Sequence, residues 1–382
     1  MLLLACGTFA SGTDGSVIAG ILPSIAHDLH VSVAAAGQMV TLFAFAYALG
    51  SPVLMAFVAG GSAQKTLLAL AIGAFALANV LAALAPTIEV LAVARVLTAL
   101  LAGVYVPSAA AAATVLVGPE LRGRALALVL GGASIATALG VPAGVWIALH
   151  FSWRATFGFV TVLALLALAG ILLGFPAGAK LPKVPLRARI APLARADVVL
   201  VLVVTVLAMA AGSVVYTYVG PLFGQPGAVG LGWVALLLLI FGCGALAGSW
   251  LGGYGADRWG APRTLVAALT VFTATFALLT FGVRSLPAAA ACMFVWGIVG
   301  WGFVPPQQYR LIGLAPAAAP VVLSLNASAI YLGIGAGAAL GGLVTSSLGA
   351  AWLAPVAAAV AAAALLCLLA QLAASRRTTA AS

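Results

Sequence analysis

Runs of about twenty apolar residues, broken by short polar gaps, recur twelve times along this chain, and no other feature narrows its fold so far. A helix of that length spans a hydrocarbon core of roughly 30 Å. The approximate spans are Leu2–Ser24, Ala34–Val58, Thr66–Leu84, Ile88–Leu116, Ala125–Ala148, Ala155–Leu173, Val198–Leu222, Leu231–Leu251, Thr264–Phe281, Ala288–Ile312, Val321–Ser346 and Trp352–Leu372. Composition excludes the alternative of a water-soluble globule: 65% of the residues are hydrophobic and only 6% charged, where a soluble domain carries about a quarter charged residues. The expected class is an all-α membrane protein with twelve transmembrane helices.

The longest polar interval, residues 177–196, separates six segments from six. It holds Lys180, Lys183, Arg187, Arg189 and Arg195 among the prolines Pro182, Pro185 and Pro192, a composition that neither inserts nor packs a core. The expected organisation is therefore an N-terminal six-helix half over 1–176, a cytoplasmic linker over 177–196, a C-terminal six-helix half over 197–375 and a cytoplasmic tail over 376–382. The halves echo one another, as transporter halves do. Gly15-Ser16-Val17 in segment 1 matches Gly212-Ser213-Val214 in segment 7, and segments 5 and 11, at corresponding positions, are both rich in glycine.

The net charge of +10 has no soluble domain to sit on, so topology explains it better than nucleic acid does. With both termini cytoplasmic, the inner side receives Lys65, Arg122, Arg124, the five linker cations, Arg258, Arg263, Arg310, Arg376 and Arg377, and the outer side only Arg154 and Arg284. That is a strong positive-inside bias. Segment 1 lacks a basic leader and contains an acid, so it is expected to be a mature helix and not a cleaved signal peptide. Nothing beyond a short tail follows segment 12, which speaks against a membrane sensor or assembly factor with a signalling domain.

Two charges fall deep inside apolar segments, away from their ends: Asp14 in segment 1 and Arg95 in segment 4. A charge at the bilayer centre costs roughly 2.5–3.5 kcal/mol even on an insertion scale, so such residues are expected to be functional. Counted along oppositely directed helices at 1.5 Å per residue, the two sit within about 6 Å of the same depth. A purely structural buried pair is the plainer reading. The four cysteines lie in apolar runs with no metal-binding spacing. His27, Asp28 and His30 are too few and too close together to close a coordination shell, so a solvated loop is expected there and no metal site.

Several motifs carry a family resemblance. Gly252-Gly253-Tyr254-Gly255-Ala256-Asp257-Arg258-Trp259-Gly260, with Arg263 following, resembles the G-x-x-x-D-R-x-G-x-(R/K) loop signature of the major facilitator superfamily in its second-half copy between helices 8 and 9. Arg95 with Gly103 resembles that superfamily's helix-4 arginine motif. Gly140-Val141-Pro142-Ala143-Gly144 resembles the helix-5 motif of its drug:proton antiporter branch, and Ser152-Trp153-Arg154-Ala155-Thr156-Phe157 resembles the common start of helix 6. With the opening Gly12-Thr13-Asp14 and Val17-Ile18-Ala19-Gly20, the chain is similar to bacterial arabinose-efflux and chloramphenicol-exporter-like permeases. The first-half loop, Ala59 to Lys65, departs from the pattern by lacking the Asp-Arg pair.

The resemblance implies a major facilitator fold in a bacterial inner membrane, acting as a monomer on a small-molecule substrate and protons. It implies a central cavity lined by helices 1, 2, 4, 5, 7, 8, 10 and 11, on which Gln38, Tyr47, Tyr105, Tyr216, Tyr218, Asn326 and Tyr331 are the polar or aromatic candidates. Gly140, Pro142, Gly144, Gly253, Asp257, Arg258, Gly260 and Arg263 would then be conformational motifs, with close helix packing as the plainer reading of the glycines. Asp14 and Arg95 would form a proton switch, because burial favours a neutral carboxyl and a nearby guanidinium favours a charged one. With a single cavity acid, neutral solutes such as a phenicol-like drug or a sugar suit the site better than cations. No ATP-binding loop is present and no nucleophile, base and orienting group converge, so the expected function is proton-coupled efflux without a cofactor, and not an enzyme. A facilitator or importer of the same fold is the alternative.

Overall fold

The computed structural model describes residues 1–58, 64–176, 187 and 190–380. Lys180, Lys183 and Arg189 of the expected linker, residues 59–63 of the first-half loop and the end of the tail lie outside the described residues. Among the described residues all regular structure is helical. Twelve helices are long and apolar enough to cross a membrane: α1 (Leu2–Asp28), α2 (Val33–Phe57), α3 (Gln64–Ala83), α4 (Ile88–Val115), α5 (Arg122–His150), α6 (Trp153–Gly174), α7 (Ala196–Thr217), α8 (Leu231–Trp259), α9 (Ala261–Gly282), α10 (Leu286–Leu314), α11 (Pro316–Ser347) and α12 (Ala350–Ala374). Large apolar side chains such as Phe57, Leu77, Leu173 and Phe281 point outward. The residues fully hidden inside include Asp14, Arg95, Asn79 and Gln307. Helices that are apolar outside and hold polar groups within satisfy their backbone internally while offering hydrocarbon to lipid.

The chain divides into two compact units, Met1–Leu186 with α1–α6 and Arg187–Ser382 with α7–α12. In the first unit, α2 and α5 share a device that their sequences predict in retrospect. Ala46-Tyr47-Ala48-Leu49-Gly50-Ser51-Pro52 and Ala136-Thr137-Ala138-Leu139-Gly140-Val141-Pro142 follow one pattern, and in both helices the first five residues form a π-helical turn. Proline has no N–H, and its ring crowds the carbonyl four residues earlier. Those carbonyls belong to Ala48 and Ala138, within the two π turns, so the widened turn absorbs the clash in each helix.

Glycine spacing sets the close helix pairs. On α11, a Cβ at Gly333 or Gly337 would overlap the carbonyls of Val206 or Ala210 on α7. On α8, Gly244, Gly248 and Gly252 meet the α10 backbone at Phe294, Ile298 and Gly302. Each contact recurs every four residues on both partners, the small-residue packing of membrane helices.

The helix ends correct the sequence reading in three places. Helix α1 continues through Pro23 to Asp28. Helix α7 stops at Thr217, where Tyr218 leaves helical geometry (φ −109°, ψ 28°), and a short helix, Val219–Gly224, containing Gly220 and Pro221, follows. Helix α8 runs to Trp259, so Gly253, Asp257 and Arg258 lie in its last turns and not in a loop. No proline interrupts Leu251–Trp259 despite its three glycines, and the helix ends at Gly260, whose φ of 83° is left-handed and suits glycine.

Candidate functional site

Asp14 sits midway along α1 and Arg95 two turns into α4, and the first unit brings them into direct contact. Arg95 Nη1 donates to Asp14 Oδ1 at 2.6 Å, and Nη2 donates to the Asp14 main-chain carbonyl at 3.1 Å. Both side chains have no solvent exposure. The Phe43 ring of α2 covers the guanidinium, 4.3 Å from Cζ to the ring centre, a placement that attracts a cation through the ring quadrupole. Thr98, three residues beyond Arg95, donates its hydroxyl to the Arg95 carbonyl at 3.1 Å. Asp14 Oδ2 is buried without a hydrogen bond of standard geometry among the described residues, and the Thr98 hydroxyl also interacts with the Asp14 carboxyl.

Helix α5 approaches the same turn of α1. A Cβ on Gly140 would overlap the Thr13 hydroxyl, and one on Gly144 would overlap Val17. The glycines of the helix-5 motif therefore flank Asp14 on α1, with Pro142 between their approaches and the π turn ending at Gly140. Tyr47 lies in the π turn of α2 and stacks on Phe43, centroids 6.4 Å apart.

The other sequence candidates are dispersed. Tyr105 is fully buried and donates to the Leu4 carbonyl at 3.2 Å, its ring filling the space left by Gly7. Tyr218 makes the comparable contact in the second unit, donating to the Ala338 carbonyl at 3.1 Å beside Gly341. Both tyrosines join helices within their own unit. Gln38 is half-buried and donates Nε2 to the Ala34 carbonyl at 3.5 Å. Tyr331 is half-buried on α11. Tyr216 packs against Phe241 and Trp296, with its buried hydroxyl unpaired among the described residues. Asn326 accepts from Thr205 at 3.1 Å. Asp257 and Arg258 are exposed, and among the described residues neither they nor Arg263 form an ion pair.

Two residue sets escaped the sequence reading. Phe43 looks like any aromatic in an apolar run, and no spacing rule singles it out. Asp28, expected in a solvated loop, instead accepts from Trp153 Nε1 at 2.9 Å and from Arg154, whose Nη2 also donates to the Ala85 carbonyl at 3.0 Å. The Ser152-Trp153-Arg154 motif thereby ties the ends of α1 and α3 to the start of α6.

Comparisons with known proteins agree with this architecture. The Major Facilitator Superfamily profile matches residues 4–333. An uncharacterized MFS-type transporter of Bacillus subtilis, YbcL, is 34% identical over 91% of this chain and 88% of its own. A chloramphenicol resistance protein of Streptomyces lividans is 31% identical over 92% of this chain and 91% of its own. The crystal structure of a D-xylose-proton symporter superposes with a TM-score of 0.78 at 15% identity, covering 96% of both chains, a likeness of fold alone. The helices, their two six-helix units and these relatives together make the protein a member of the Major Facilitator Superfamily, a multi-pass membrane transporter.

Proposed function

We propose that the protein is a proton-coupled efflux transporter that expels a small organic solute by alternating access, with Asp14 as the proton carrier. The observation that carries this reading is the solvent-free Asp14–Arg95 pair inside a membrane-spanning unit. Desolvating two charges is expensive, and a buried pair is weak as a stability device. A pair with one carboxylate oxygen outside the ion pair and a second set of contacts for its cation is suited to switching. When Oδ2 takes a proton, the carboxyl loses its charge, and Arg95 keeps the Asp14 carbonyl and the Phe43 ring. Both remaining contacts are independent of ionisation.

In the proposed cycle, solute enters from the cytoplasm as Asp14 releases its proton to that side. The carboxylate then re-forms its pair with Arg95. After the site opens outward, a proton from the outer side reloads Oδ2 and the solute leaves. The proton gradient supplies the energy, and no cofactor takes part. Export is favoured by relatives named for chloramphenicol resistance and probable sugar efflux. A neutral solute is favoured because Asp14 is the one acid deep within the apolar segments. The positive-inside bias supports a cytoplasmic side for both termini.

Reconstituted vesicles test the reading directly. With a panel of neutral drugs, chloramphenicol among them, and neutral sugars, at least one solute should drive proton movement opposite to its own flux. Solute movement that equilibrates without protons would support a facilitator instead, and protons moving with the solute an importer.

A further inference from the structure

The second unit contains a buried polar cluster that the proton-switch account does not use. Gln307 of α10 is fully buried and donates Nε2 to the Val201 carbonyl at 2.8 Å and to Thr205 Oγ1 at 3.1 Å, both on α7. Thr205 donates to Asn326 Oδ1 of α11 at 3.1 Å. Arg310, one turn beyond Gln307, donates to Gln307 Oε1 at 3.4 Å and to Gln371 Oε1 of α12 at 3.3 Å. Gln371 donates Nε2 to the Leu200 carbonyl at 2.7 Å. Four helices meet through these contacts.

Hydrogen-bond accounting leaves the cluster unbalanced. Both amide oxygens that face Arg310 are taken by it, the Asn326 oxygen is taken by Thr205, and Asn326 Nδ2 is buried with no acceptor. A guanidinium has five N–H groups, and two of its nitrogens have partners here. The one buried side-chain atom of this cluster left without a partner among the described residues is thus a donor, Asn326 Nδ2, and the cluster carries one positive charge, on the half-buried Arg310. No carboxylate among the described residues forms an ion pair with Arg310. The second unit has only two acids, of which Asp197 is held by Arg195 at 2.6 Å and Asp257 is exposed on α8. An arginine within a membrane-spanning helix ordinarily finds a counter-charge or a carbonyl cage.

We propose that Arg310 and Asn326 form a binding site for an anionic, oxygen-rich group, a phosphate or carboxylate, which supplies the missing charge and acceptors. Such a group matches a planar guanidinium fork with charge-assisted hydrogen bonds. The depth fits a headgroup. Helix α10, at 29 residues, is about 43 Å long and exceeds the hydrocarbon core by about 13 Å, and Arg310 lies roughly 6 Å from its end. The anion has two possible sources, the phosphate of an acidic phospholipid or a soluble organic anion. This assignment stands independently of the proton-switch reading.

The test uses the full-length protein in nanodiscs of pure phosphatidylcholine or of phosphatidylcholine with phosphatidylglycerol, and separately in detergent with inorganic phosphate or citrate. Thermal unfolding and lipid retention in native mass spectrometry are the readouts. A lipid site predicts a higher melting temperature with phosphatidylglycerol and about tenfold weaker retention of that lipid in Arg310→Gln. A soluble-anion site predicts stabilisation by phosphate or citrate, lost in the same variant. Asn326→Asp keeps the side-chain shape and provides an internal acid, so it should fold, melt higher in pure phosphatidylcholine and lose the anion response. A wild-type protein indifferent to all the anions, or an anion response undiminished in both variants, would show that Arg310 only clamps α10 to α12.

Discussion

Gly140 of α5 lies against Thr13 of α1 so closely that no side chain fits between them, and Thr13 is the residue before Asp14. The glycine motif of α5 and the buried acid are consequently parts of one construction. The proline two residues on from Gly140 forces the π turn that ends at this contact.

That packing makes a direct prediction. Gly140→Ala should reduce the folded protein or displace α1, with a destabilisation of about 1–3 kcal/mol from overpacking. Gly131→Ala, whose Cβ meets no atom within 4 Å, should be neutral or slightly stabilising, since alanine is the better helix former. Thermal melting of the two purified variants makes the comparison. Equal behaviour would mean that α5 does not bear on α1 as described.

The ion pair predicts a double-mutant cycle. Arg95→Ala alone leaves a buried carboxylate with no partner, a change of about 3–5 kcal/mol in comparable buried pairs. Adding Asp14→Asn should restore much of the lost stability by removing the stranded charge. Melting temperatures of the four proteins give the coupling. Additive losses would show that the two side chains do not act as a pair.

By contrast, the Asp28–Arg154 pair is 47% and 35% exposed. Asp28→Asn should lower stability by no more than about 1 kcal/mol and leave transport intact, because solvent screens exposed pairs. A loss as large as that of Arg95→Ala, measured in the same melting assay, would assign the outer tie a larger role.

The orientation is tested by single-cysteine labelling in intact cells. A cysteine introduced in place of Arg187 should resist an impermeant reagent, and one in place of Arg284 should react. The opposite pattern would invert the topology inferred from the cations.

The sequence reading succeeded where a physical rule acts along one dimension. Span length located all twelve helices, and helix rise put Asp14 and Arg95 within about 6 Å of one depth, consistent with their contact. It failed where the answer depends on rotation about a helix axis. Segments that are apolar on every side carry little periodic signal for the inward face. Tyr105 and Tyr218 therefore read as cavity residues, although their hydroxyls serve helix joints, and Phe43 drew no notice. The charge count takes Arg310 as one more cation of the cytoplasmic side and gives no sign that it is half-buried and bonded inside the second unit. The paired π turns were legible all along in the shared pattern ending at Pro52 and Pro142.

The most direct test of the central claim is substrate-driven proton movement by Asp14→Asn in reconstituted vesicles, with a solute to which the wild-type protein responds. Asparagine preserves the shape and a hydrogen-bond acceptor for Arg95 and removes the titratable oxygen. The account predicts that solute counterflow persists while proton movement and uphill export disappear. Proton movement at the wild-type level in Asp14→Asn would contradict it.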